Sequence, residues 1–115
     1  MKKEYKYSGL LALKLAWFYR YKKDSESEKR FLDIALQGFK NAYKKESFDS
    51  SFSLGKCCYI IAEIYIRLGD DTKAVRWYDI ALRYCKFDGV QLQRQIRERW
   101  QEICERKRMI KDGVS

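Results

Sequence analysis

Apolar residues recur along this chain with a helical rather than an alternating period, and polar breaks divide the pattern into five segments. The first helix is expected from about Ser8 to Tyr21. Leu10, Leu11, Leu13, Leu15, Ala16, Trp17, Phe18 and Tyr19 leave it so little polar surface that it should be covered on more than one side. A break at Lys22 to Asp24 follows, and Ser25 with Glu28 has the spacing of a capping box for a second helix from about Glu26 to Lys45. The polar connector SFDSSFS carries Phe48 and Phe52, whose rings should tuck beneath it. Two more periodic segments then flank a Gly-Asp-Asp break within Cys58 to Leu82. After a break at Lys86 to Gly89, a fifth helix is expected over Val90 to Lys111, with Leu92, Ile96, Trp100, Ile103 and Ile110 as its apolar stripe. With no proline and only 6 glycines, the fold class is all-α.

The central pair can be read residue by residue. Ile61, Ala62, Tyr65, Gly69, Ala74, Tyr78 and Ala81 run in the order large, small, aromatic, turn glycine, small, aromatic, small. Small residues let two helix backbones approach, and aromatic ones fill the space beside them. Gly69 suits the left-handed conformation that ends a helix, and Asp70 or Asp71 can cap the next. This order is that of a tetratricopeptide-type antiparallel helical hairpin. Leu15, Ala16 and Tyr19 repeat its first helix, and Ala35, Phe39 and Ala42 repeat its second. Ala16 to Ala35 spans 19 positions where Ala62 to Ala74 spans 12, so the first hairpin reads as divergent, with seven extra residues lengthening a helix or its entry loop. Seven residues are about two helical turns, which keeps the same face inward. The expected organisation is one helical repeat domain over 1–115: a first hairpin over 8–47, a second over 53–86, and a C-terminal capping helix over 90–111.

Composition narrows the chemistry. No stretch approaches the roughly 18 apolar residues of a membrane span, and MKKEYKYSG lacks the apolar core of a signal peptide, so a cytoplasmic protein without a membrane partner is expected. Cys57, Cys58, Cys85 and Cys104 form no C-x-x-C pair, and there is no histidine to complete a mixed zinc site. Buried reduced thiols are the expectation, with no metal and no cofactor. The missing histidine also removes the usual general base; no catalytic residue can be nominated, and the chain does not read as an enzyme.

Three blocks carry a closer resemblance: LAWFYR at 15–20, IAEIYIRLGDDTKAVRWYDIAL at 61–82 and RERWQEI at 97–103. They resemble a bacterial family, the domain of unknown function numbered 2225. Its members combine a cysteine-rich, zinc-ribbon-like N-terminal part with a tetratricopeptide-like C-terminal part. The resemblance implies the second part alone, as an excised piece or a shortened member, because the paired cysteines of the first are absent. It implies a bacterial origin and no assigned activity, and zinc binding is not carried over.

Tetratricopeptide arrays hold ligands on the face lined by first-helix side chains. The corresponding positions here are Leu10, Leu13, Trp17, Arg20 and Tyr21 in one repeat, and Lys56, Tyr59, Glu63, Ile66 and Arg67 in the other. Tryptophan, tyrosine and arginine are the residues that anchor protein interfaces. The expected function is therefore a protein or peptide interaction module, a scaffold whose partner is acidic if charge steers it. The competing reading of Leu10, Leu13 and Trp17 is burial by the chain's own termini or by a second copy in a homo-oligomer. Carboxylate-clamp recognition is not expected, since Tyr59 and Glu63 stand where basic or amide groups would be needed. The alternative function comes from charge: 25 Lys+Arg against 16 Asp+Glu leave a formal net charge of +9. Arg94, Arg97, Arg99, Arg106, Lys107, Arg108 and Lys111 make the last helix a candidate nucleic-acid surface. Against that, Glu98, Glu102 and Glu105 intervene, and Lys2, Lys3, Lys6, Lys22, Lys23, Lys44 and Lys45 spread basic charge elsewhere.

Overall fold

The computed structural model describes residues 5–46, 48 and 52–111, and the side chains of all of these except 6 and 109–111. The expectations for Lys2, Lys3, Lys6, Ile110 and Lys111, and for most of the connector, lie outside what is described. The helices are α1 (Tyr5–Tyr21), α2 (Ser25–Lys45), α3 (Leu54–Arg67), α4 (Asp71–Tyr84) and α5 (Val90–Lys111), with a short 3-10 turn at Cys85–Phe87. Among the described residues there is no strand. The chain divides into two compact units, Met1–Ser47 and Phe48–Ser115. Helices α1 and α2 pack together in the first; α3 packs on α4, and α4 on α5, in the second.

The same turn closes both hairpins. In the first, the backbone N–H groups of Lys22, Lys23 and Asp24 donate to the carbonyls of Phe18, Arg20 and Tyr19. In the second, those of Leu68, Gly69 and Asp70 donate to Ile64, Ile66 and Tyr65. These are the paired bonds that satisfy the last carbonyls of a helix when the following residue turns left-handed. Gly69 does so at φ +82°, and Lys23 does so at φ +60° despite its side chain. Asp24 and Asp70 then cap the next helices. The cap of α2 is thus Asp24 and not Ser25: the Asp24 carboxylate accepts from the Ser27 N–H at 3.1 Å and the Ser27 hydroxyl at 2.8 Å. Those bonds hold its carboxyl below the ordinary range.

The second unit follows the small-aromatic order closely. Ile61, Ala62, Ala74, Tyr78 and Ala81 are fully buried, and Tyr65 nearly so. Phe52 is buried, with its ring 5.9 Å from that of Phe48. Ile96 and Ile103 bury the inner stripe of α5, and Leu92 and Trp100 are half-buried. Ser53 caps α3 through the Lys56 N–H at 3.0 Å. The first turn of α3 lies so close to the Cys85 turn that a methyl group on Gly55 would meet the Cys85 Cα at 2.9 Å.

In the first unit two expectations are corrected. The seven extra residues lengthen a helix, α2, and not its entry loop, because both turns have the same length and bonding. Counted from the two caps, Leu32 and Ala35 stand where Tyr78 and Ala81 stand, and all four are buried. The length difference, 21 residues in α2 against 14 in α4, lies at the end of α2 far from the turn. Accordingly Ala35 is not the partner of Ala16 at one depth. A methyl group on Gly38 would lie 3.0 Å from the Cα of Gly9, so those two glycines cross, and one turn inward on each helix Ala12 comes opposite Ala35. The second correction concerns α1, whose large side chains are not covered on several sides. Its buried stripe is Gly9, Ala12 and Ala16, while Leu11, Trp17, Phe18 and Tyr21 are half-exposed or more. Because small residues make the helix contact, the backbones approach closely and the large side chains are displaced outward.

Candidate functional site

The ten candidate residues fall into two sets of different character. In the first unit, Leu10, Leu13 and Trp17 line an open apolar hollow of about 270 Å³ together with Lys14. These residues stand at i, i+3, i+4 and i+7, one face of a helix over two turns. Trp17 is 58% exposed and Tyr21 83%, and Arg20 is exposed beside them. Lys14 was not among the expected residues. The signal for it was present in the sequence, four positions after Leu10 and three before Trp17.

In the second unit, Lys56 is exposed, but Tyr59, Glu63, Ile66 and Arg67 are half-buried. Glu63 accepts from Arg99 of α5 at 2.9 Å (Nε) and 3.2 Å (Nη2), and the Tyr78 hydroxyl of α4 donates to the same carboxylate. A third helix is thereby tied to the hairpin by one acid. Arg99 also reaches Glu102 at 3.2 Å. Its bonds to Glu63 make the guanidinium still harder to deprotonate, while burial and the Glu63 charge push the Tyr78 phenol up. Tyr59 lies against Tyr78, ring centroids 6.1 Å apart, and burial followed by the Glu63 charge raises its phenol too. Tyr59 and Glu63 therefore form part of the junction that holds α5. Sequence reasoning missed Arg99 and Tyr78 as their partners, because pairs 36 and 15 positions apart have no local signature.

The basic face of α5 is partly neutralised. Arg106 holds Asp71 through its Nε and Nη2 at 2.9 to 3.2 Å, and Lys107 donates to the Thr72 hydroxyl at 3.1 Å. With Arg99 also paired, Arg94, Arg97 and Arg108 are the exposed cations of this helix besides Arg106 among the described residues. Cys57, Cys58 and Cys85 are buried and Cys104 half-buried, all as free thiols. Burial pushes the Cys58 thiol up to about 12. Among the described residues no three ligating side chains converge on a common point, and no helix is long and apolar enough to cross a membrane.

No curated protein and no solved structure matches this chain significantly. A family model does, over residues 1–103, and its description is an uncharacterised protein conserved in bacteria. The three sequence blocks noted above lie within that match. The chain therefore belongs to the bacterial family designated domain of unknown function 2225.

Proposed function

We propose that this protein is an interaction module of tetratricopeptide-like hairpins that holds a segment of another protein on the outer face of α1. The observation that carries the reading is the hollow over Leu10, Leu13, Lys14 and Trp17. Large apolar side chains left in solvent forgo the stabilisation of burial, and a contiguous patch of them is a mark of a docking surface. The second unit supports the repeat architecture through its identical turn and its buried small-aromatic order. Free buried thiols fit a cytoplasmic setting. The role is one of holding a partner, with no catalytic step.

The test is capture from bacterial lysate with the whole chain as bait, in parallel with Trp17→Ser and Leu13→Ser baits, each split into nuclease-treated and untreated halves. A protein retained by the unaltered bait after nuclease, and lost with either variant, is the expected result. Retention that disappears with nuclease, or is indifferent to both variants, removes α1 as the functional face. Far-ultraviolet circular dichroism of the variants confirms that the helices persist.

A further inference from the structure

Building on the reading of α1 as the docking face, we infer that its partner is an amphipathic helix with acidic flanks. The repeat supplies a precedent for a helical occupant. Counted from the shared turn, Leu13 and Trp17 occupy the places of Tyr59 and Glu63. In the second unit that face is met by a helix, α5, through Arg99. The equivalent face of α1 carries the open hollow. Its four lining residues span two turns, about 10 Å of rise, which suits apolar side chains at i, i+3 or i+4, and i+7 of a partner helix.

Charge decides the rest. Helix α1 contains no aspartate or glutamate in its 17 residues. Lys14 forms part of the hollow, and Arg20, Lys22 and Lys23 cluster at the C-terminal end of the same helix. Among the described residues, no carboxylate pairs with any of these four. Lys22 instead lies over the Phe18 ring, 5.6 Å from its centroid. Where Glu63 meets a cation from α5, the α1 face offers an indole with cations around it. A partner helix that complements it is apolar over Leu10 to Trp17 and bears Asp or Glu on its flanks, to meet Lys14 and Arg20. A second copy of this chain is disfavoured, because two α1 helices, neither containing an acid, would set Lys14 and Arg20 against their counterparts in a chain of net charge +9.

The experiment uses the whole chain and three fluorescently labelled synthetic helical peptides, read by anisotropy at low and moderate salt. One carries leucines at i, i+3 and i+7 with glutamate flanks; the second replaces the glutamates by lysines; the third keeps the glutamates but replaces the leucines by serines. The glutamate-leucine peptide should bind about tenfold more tightly than its lysine counterpart, and the serine peptide should fail. Trp17→Ser should abolish the binding, and the Lys14→Glu/Arg20→Glu pair, on exposed positions that leave the fold intact, should reverse the charge preference. Equal binding of both leucine peptides, lost with Trp17→Ser, overturns the acidic partner while leaving α1 as the docking face. Binding that ignores the leucines, or ignores Trp17→Ser, overturns the inference as mere attraction to the basic surface. Self-association through Trp17 in sedimentation, outcompeting every peptide, assigns the face to a second copy and overturns it as well.

Discussion

Replacing Gly38 by alanine puts one methyl group where two helix backbones cross. That methyl would sit 3.0 Å from both the Cα and the N of Gly9 and 3.2 Å from the Tyr5 carbonyl oxygen, all backbone atoms that cannot rotate aside. Ordinary van der Waals contact needs 3.4 Å or more, so α1 and α2 must separate by a few tenths of an ångström along the whole stripe Gly9, Ala12, Ala16. Overpacking of this kind costs about 1–3 kcal/mol. Alanine is favoured over glycine in a helix interior by about 1 kcal/mol, which opposes the clash. The expected net effect is a loss of about 1 kcal/mol. Urea unfolding would be followed by circular dichroism and by Trp17 fluorescence in a chain whose Trp77 and Trp100 are phenylalanine, which isolates the first unit. An unchanged m-value with a lower midpoint is the expected pattern. If Gly38→Ala instead raises the midpoint, as propensity alone requires, the close approach of the two helices is refuted.

Four further outcomes are expected. Gly69→Ala should cost about 1–2 kcal/mol by equilibrium unfolding through its positive φ alone, since nothing lies within 4 Å of the added methyl. Lys23→Gly should be neutral or stabilising by up to about 1 kcal/mol, because Lys23 bears the same left-handed strain without being glycine; a clear loss would contradict the shared turn. Glu63→Gln should destabilise the second unit by about 1–2 kcal/mol and loosen α5 in hydrogen exchange, and a double-mutant cycle with Arg99→Met should show coupling. Cys58 should resist iodoacetamide at neutral pH in the folded protein. Its thiol is raised from 9.0 to about 12, so the folded state prefers the protonated form. The stability this contributes is full below pH 9.0 and is lost as pH rises toward about 12, so unfolding titrations should show a decline across that window.

Much of the fold was legible because helical signals are local. The five segments, the breaks between them, the left-handed Gly69, the Asp70 cap and the burial of Ile61, Ala62, Ala74, Tyr78 and Ala81 all follow from residue type and spacing within a turn or two. The candidate face was legible in part for the same reason: Leu10, Leu13 and Trp17 share a helical face wherever that helix is placed. Register was not legible. A slip of seven residues is about two turns and returns every side chain to nearly the same face, so Ala35, Phe39 and Ala42 fit the repeat as well with an insertion near the turn as with a longer far end. Only the crossing of Gly9 with Gly38 and the matching turn bonds separate the two. Nor could spacing show that Tyr59 and Glu63 are engaged by Tyr78 and Arg99 while Trp17 keeps more than half its surface in solvent. Periodicity determines which side chains share a face. What meets that face depends on contacts between residues far apart in the chain, and those exist only once the helices have packed.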